Sequence, residues 1–223
     1  MPGKPPVEIS KRATRFWPVV SGAVALVLAA SLGLIITLRA SENEVDAEWM
    51  EEIVEHRSPL WDVPAYVMSY IGGGWFGVFL VPIGIAVVFA LLRRRWAAIY
   101  FLVASIVSAG LVQLLKKTLG RSRPEEILIH ADFGSFPSGH VANAATIAMT
   151  LAFILRHLWV WFAGAAYVVL MALSRTYLGA HWLSDTVGGA LLGVAVATLV
   201  WAPFARRLED EAGEHSRSGT VTP

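Results

Sequence analysis

The chain has 223 residues, 56% of them hydrophobic, with nine Trp, no Cys and a formal net charge of +1. Its mean hydropathy of +0.58 excludes an ordinary soluble domain, whose apolar share is about 45–50%, and the balanced charge singles out neither nucleic acid nor an acidic partner. The absence of Cys removes disulfides, thiolate nucleophiles, thiolate-bound zinc and iron–sulfur clusters, so any chemistry rests on oxygen and nitrogen groups.

A helix needs about 20 apolar residues to cross a hydrocarbon core of about 30 Å. Six stretches meet or approach that length: 16–38, 75–92, 96–115, 139–155, 157–173 and 183–204. Lys4, Lys11, Arg12 and Arg15 precede the first and give it the look of a secretory signal. Its apolar run exceeds the roughly 7–15 residues of a cleavable one. It reads as a retained span behind a cytoplasmic segment 1–15, with a cleaved signal at the small residues Ala29, Ala30 and Ser31 as the alternative.

Residues 42–55 carry seven carboxylates, with Val45, Trp49 and Ile53 at every fourth position. That pattern suits an amphipathic helix on the membrane surface and equally a solvated loop with some helix. Trp61 and Tyr70 suit an interface, and Gly72, Gly73 and Gly74 break the chain before the second span. The fourth stretch holds Asn143, Thr146 and Thr150, and so faces protein more than lipid. From Leu208 onward the composition turns polar, which predicts a disordered cytoplasmic tail over 208–223 behind one membrane domain over 16–207.

Short basic loops stay cytoplasmic. With six spans, the N-terminal basic residues, Arg93, Arg94, Arg95, Arg156, Arg206, Arg207 and Arg217 share one side. Arg39, Arg57, Lys116, Lys117, Arg121, Arg123 and Arg175 share the other. Most of the second set belongs to polar clusters with a chemical use, so both termini are placed in the cytoplasm and the clusters outside.

There are three clusters. Lys116 and Arg123-Pro124 follow the third span, and pair a point-like ammonium with a planar fork of guanidinium donors, a natural phosphate clamp. Pro137-Ser138-Gly139-His140 opens the fourth, where Ser138 can cap, free amides face an anion, Gly139 permits close approach and His140 can donate a proton. Ser174-Arg175, His181 and Asp185 join the last two spans. The four-residue spacing of His181 and Asp185 puts them on one helical face, where the carboxylate can fix the imidazole tautomer and leave the other nitrogen to attack phosphorus. Each cluster also has a plain reading: snorkelling cations, a capped helix, an acid favouring a helix N-terminus. Their common place at one set of helix ends argues for a shared site. Glu125, Glu126, His130 and Asp132 read as solvated surface, His157 as remote, and Tyr177 and Trp182 as interfacial aromatics beside the site.

These residues resemble the signature of the type 2 phosphatidic acid phosphatase family: Lys-x6-Arg-Pro, Pro-Ser-Gly-His and Ser-Arg-x5-His-x3-Asp. Every signature position is matched between Lys116 and Asp185. The resemblance implies an all-α bundle of six transmembrane helices with the site at their outer ends. It implies His181 as a nucleophile forming a phosphohistidine, Asp185 as its orienting partner, and His140 as the acid for the leaving oxygen. It implies that Lys116, Arg123, Ser138, Gly139 and Arg175 bind the phosphate, with no metal and no cofactor. The expected partner is a lipid phosphate or pyrophosphate in the bilayer, such as phosphatidate, phosphatidylglycerophosphate or a polyprenyl diphosphate. A phosphotransferase using the same phosphohistidine, and a non-catalytic lipid-phosphate binder or transporter, remain the alternatives. Vanadate-dependent haloperoxidases share the clusters but are soluble, which the apolar spans here oppose.

Overall fold

The structure is a computed structural model that describes residues 8–39 and 43–218. The expected cytoplasmic segment before residue 8 and the end of the tail beyond 218 lie outside the described residues. Helices account for nearly all of what is described, with no strand among those residues. In chain order they are α1 (Glu8–Leu38), α2 (Glu44–Glu55), α3 (Pro59–Gly72), a π-helical turn (Phe76–Leu80), α4 (Val81–Leu91), α5 (Arg95–Leu119), α6 (Gly139–Leu155), α7 (Leu158–Tyr177) and α8 (Leu183–Ser218).

Phe16–Leu38 of α1, α5, α7 and Leu183–Glu214 of α8 are each long and apolar enough to cross a membrane. A fifth span is the pair α3 and Phe76–Leu91, bent by 49°, and α6 is an apolar helix of 17 residues, short for a full crossing. The chain is therefore an all-α polytopic membrane protein, built from four continuous spans, a broken one and a short one.

The broken span departs from the expectation of one helix over 75–92. Helix α3 begins sixteen residues before that stretch, at Pro59, and packs on α7, where Ser174 Oγ donates to the Ala65 carbonyl at 2.8 Å. Trp61, Val63, Val67 and Tyr70 are exposed along it, and of these only Trp61 and Tyr70 were legible, as interfacial residues, because the triple glycine cuts the apolar run. At the break, Asn143 Nδ2 donates to the carbonyls of Gly72 (3.3 Å) and Gly77 (2.9 Å). An unpaired carbonyl at membrane depth is costly, so a protein donor must replace the missing helical bond.

The tail is the second departure. Instead of turning disordered at Leu208, α8 runs on to Ser218. Leu208 is buried with Phe89, Tyr100, Phe101 and Ile154. Buried Glu211 accepts the Trp96 and Ala97 amides at 2.8 and 3.1 Å, and so caps the start of α5 from another helix. A window of polar composition conceals two residues that the core uses.

Small residues let α8 lie close on α6. A Cβ on Gly193 would press into the Ala142 carbonyl, and one on Gly189 would meet the Ser138 carbonyl at 2.5 Å. Thr146 adds a bond across α6 and α5, donating to Ser108 Oγ at 2.9 Å. Such close seams hold helices together where lipid removes the usual hydrophobic drive. Gly193→Val is expected to destabilise the protein by about 1–3 kcal/mol through overpacking. The check is its melting temperature in detergent, where an unchanged value would mean that the seam has slack.

Candidate active site

Each signature residue sits where a helix ends. Lys116 lies in the last turn of α5, which Gly120 closes in a left-handed conformation (φ 59°). The loop that follows folds back over that turn: Gly134, at φ 76°, comes so near that a Cβ would lie 2.9 Å from the Lys116 carbonyl. The buried ammonium of Lys116 donates to the Gly134 carbonyl at 2.8 Å. Arg123 converges on the same carbonyl at 2.9 Å and donates also to the Asp132 carbonyl at 2.9 and 3.1 Å. Its remaining nitrogen reaches the Ala180 carbonyl and approaches His181 Nε2 at 3.4 Å. One guanidinium thus joins the loop after α5 to the loop before α8.

That contact also fixes the histidine. A guanidinium can only donate, so Nε2 of His181 is the accepting nitrogen and the proton lies on Nδ1. Nδ1 faces Asp185 Oδ2 at 3.6 Å, within ion-pair range and beyond a hydrogen bond. Asp185 is held from two sides. Its Oδ2 accepts the Trp182 amide at 2.9 Å, the backward bond of a capping box, while Oδ1 takes a bond from Arg121. The second cluster docks here too, with the Ser138 amide donating to the Asp185 carbonyl at 2.9 Å. Ser138 precedes α6 as expected, yet its hydroxyl caps nothing. Ser138 Oγ and Arg175 Nε are buried without a hydrogen-bond partner among the described residues and lie in the signature clusters, where a ligand oxygen could satisfy them.

His140 and Arg175 meet on a residue absent from the signature. Ser69 of α3 accepts Arg175 Nη1 at its hydroxyl and His140 Nε2 at its carbonyl, the latter at 3.1 Å. Because a carbonyl only accepts, this bond puts the His140 proton on Nε2. Gly73 lies against the same ring, and a Cβ there would overlap it. Gly139 has Val112 as its nearest neighbour, 3.3 Å from a built Cβ.

Sequence reasoning missed four further residues. Ser69 sat between Trp61 and Tyr70, which were read as interfacial, and Gly73 was read only as part of a chain break. Asp132 is exposed, as its reading as surface expects, and from there lies 3.2 Å from Arg123 and 3.9 Å from Lys116. Asp46 of α2 is buried and bonded to Arg121 and Ser184. The signal for Asp46 was present but offset: the buried face of α2 runs through Asp46 and Met50, whereas Val45 is exposed. His157 is exposed between α6 and α7, at the other end of those helices, as expected of a remote residue.

Comparison with known proteins shows the family and the fold. A family model described as the PAP2 superfamily matches residues 97–209, just over half of the chain. Phosphatidylglycerophosphatase B of Bacillus subtilis (strain 168) is 34% identical over 118 residues, 48% of this chain and 58% of that protein. Undecaprenyl-diphosphatase of Sulfolobus acidocaldarius is 30% identical over 115 residues, 48% of this chain and 55% of that protein. The matched region therefore spans little more than half the length of these curated relatives. The crystal structure of a transmembrane PAP2-type phosphatidylglycerolphosphate phosphatase from Bacillus subtilis superposes with a TM-score of 0.70 at 27% identity, covering 82% of this chain and 96% of that one.

Burial, followed by the positive charges of Arg175, Arg123 and Lys116, holds the His181 imidazole well below its ordinary pKa. Below the usual imidazole value of about 6.5 the unfolded chain takes up a proton that folded His181 refuses. Stability from this residue is therefore complete above about pH 6.5 and is lost as pH falls from there towards the folded-state value. Between about pH 7.5 and 5.5, the melting temperature of the wild-type protein is expected to fall further than that of His181→Gln. Parallel curves for the two proteins would contradict this.

Proposed function

The chain belongs to the PAP2 superfamily, and from that footing we propose that it is an integral membrane phosphatase acting on a lipid phosphate monoester or diphosphate through a phosphohistidine. The observation that carries this reading is the 3.4 Å approach of Arg123 to His181 Nε2. It leaves a lone pair on that nitrogen beside a cation suited to a phosphoryl oxygen.

His181 Nε2 attacks phosphorus, a P–N bond forms, and the P–O bond to the leaving group breaks. His140, carrying a second proton on Nδ1 for this step, gives that proton to the departing oxygen while Nε2–H stays on the Ser69 carbonyl. Water then attacks the phosphohistidine, the P–N bond breaks, inorganic phosphate leaves, and a proton from water returns to His140. Asp185 faces Nδ1 and stabilises the positive charge that grows on the ring. Lys116, Arg123 and Arg175, with Ser138 Oγ and the amide end of α6 at Gly139, bind the phosphoryl oxygens, on which charge spreads in the transition state. Fixed cations supply that stabilisation without a metal or cofactor in the scheme.

The substrate is a membrane lipid. Helix ends are reached sideways from the bilayer, so tails stay in hydrocarbon while the headgroup meets the cations. The names of the two curated relatives support phosphatidylglycerophosphate and a polyprenyl diphosphate as classes to test, and phosphatidate belongs beside them. The basic residues Arg93, Arg94, Arg95, Arg156, Arg206 and Arg207 cluster at the helix ends opposite the site. By the preference of short basic loops for the cytoplasm, both termini are cytoplasmic and the site is extracytoplasmic.

The test is phosphate release from a panel of these lipids by the purified protein in detergent, with a chelator present. Release by the wild type is expected on at least one class and unaffected by chelation. His181→Ala should lose it by roughly ten-thousand-fold or more. His140→Ala should be slowed by about 10²–10⁴-fold, most for poor leaving groups. Binding of a lipid phosphate without release, or activity surviving in His181→Ala, would overturn the proposal.

A further inference from the structure

Helix α2 reaches the site through one buried carboxylate. Asp46 accepts the Ser184 amide at 2.8 Å on Oδ1, and on Oδ2 it accepts Arg121 Nη2 at 2.8 Å together with the Ser184 hydroxyl. The other arm of the same guanidinium, Nη1, donates to Asp185 Oδ1 and to Ser184 Oγ at 2.8 Å. Arg121 is mostly buried, and Asp46 and Asp185 are fully buried. Its guanidinium also lies over the Trp182 ring, 5.6 Å from the centroid. A continuous chain of charge therefore runs from α2 through Arg121 and Asp185 to His181.

We propose that Asp46 and Arg121 are positioning residues for the nucleophile: Asp46 holds the Arg121 fork, and the fork holds the Asp185 carboxylate towards His181. This rests on the phosphohistidine reading of the preceding section. Neither residue belongs to the three-part signature, and neither touches His181. Their effect passes through Asp185 in two ways.

The first is geometric. Asp185 rotates about two side-chain bonds: the Trp182 amide holds Oδ2 at 2.9 Å, and an anchor on Oδ1 fixes the carboxylate plane that sets the 3.6 Å approach of Oδ2 to His181 Nδ1. The Arg121 fork is that anchor, and Asp46 keeps the fork from swinging by taking the second arm. Asp46 also bonds Ser184, next to Asp185, and so pins the first turn of α8 itself.

The second is electrostatic. A guanidinium beside a carboxylate draws its negative charge away from a third group. With Asp46 present, Arg121 is shared between two carboxylates, and Asp185 keeps more of its charge for the imidazole. When phosphorus is attacked the ring becomes positive, and the negative charge of Asp185 stabilises it there. Neutralising Asp46 leaves Arg121 to neutralise Asp185 alone, which raises the barrier to phosphoenzyme formation while the phosphate cations stay in place.

The test compares wild type, Asp46→Asn, Arg121→Gln, Arg121→Lys and the Asp46→Asn/Arg121→Gln pair by steady-state release from the best lipid of the panel, with His181→Ala as the control. Asp46→Asn is expected to lower kcat on the order of 10–100-fold, the effect of outer-shell partners on the histidines they orient, with KM nearly unchanged. Arg121→Lys should fall similarly although its charge is kept, because one ammonium cannot bridge two carboxylates as a fork does. In the Arg121→Gln background, Asp46→Asn should cost no more than about twofold further, since both act through one path.

An unchanged kcat in a folded Asp46→Asn protein, a rise confined to KM, or full additivity of the pair would overturn the proposal. If Asp46→Asn does not fold, the kcat of Arg121→Lys decides it, and wild-type kcat there overturns it. Lack of phosphate release by the wild type would sink the phosphatase reading and this inference together. Release with indifferent Asp46 and Arg121 variants would sink this inference alone.

Discussion

The bonds of Arg123 to the carbonyls of Asp132, Gly134 and Ala180 tie two loops together at the site. The loop after α5 and the loop before α8 share no regular structure, and Arg123 joins them at their centre beside the bonds of Leu128 N to the Leu178 carbonyl and of Trp182 Nε1 to the Ser122 carbonyl. A guanidinium has five donors in a fixed plane, so it can satisfy carbonyls on both loops and still face a histidine. An ammonium could meet only part of that demand. Lys116 does the complementary work, neutralising the centre from the end of α5 while tying Gly134 to it. A substrate phosphate competes for donors already engaged by carbonyls, which keeps both cations ordered before it arrives.

Burying this much charge beside a bilayer costs stability unless every group is compensated. The compensation is distributed over helices far apart in sequence. Asp46 comes from α2, Ser69 from α3, Arg121 and Asp132 from the loop after α5, and Asp185 from α8. Removing one partner would leave a buried charge alone, so these links act as a set rather than as separate contacts. The same logic explains the end of the bundle opposite the site, where Glu211 sits buried against the first amides of α5. There a carboxylate offsets a helix end instead of a cation.

Much of this was legible in the sequence because chemistry-bearing residues at helix ends are few and their spacing is rigid. Lys116, Arg123, Ser138, His140, Arg175, His181 and Asp185 fall between long apolar runs, where a polar residue needs a reason. Asp46 was not legible, because it is one of seven carboxylates within 42–55 and the fourfold spacing of Val45, Trp49 and Ile53 suggested a different buried face. Only tertiary packing shows that α2 turns Asp46 inward. Ser69 was hidden for another reason: the glycine triple split its apolar context into pieces too short to count as a span. Leu208 and Glu211 lay in a polar window, where two buried residues are outvoted by their neighbours.

Small residues connect the packing of the bundle to the chemistry. Gly189 and Gly193 let α8 settle on α6, and that approach is what puts the Asp185 carbonyl within 2.9 Å of the Ser138 amide. The start of α8 and the N-terminal end of α6 are therefore set relative to each other by backbone contact, not by a flexible side chain. Gly73 does the same for His140, since the ring occupies the space a Cβ would take. Helices that meet through glycine have little room to slide, so an error in bundle packing becomes directly an error in the distances among His140, Arg175 and His181. A bundle with larger residues at these positions could still span a membrane, but it would hold the same signature residues farther apart than the close glycine contacts place them.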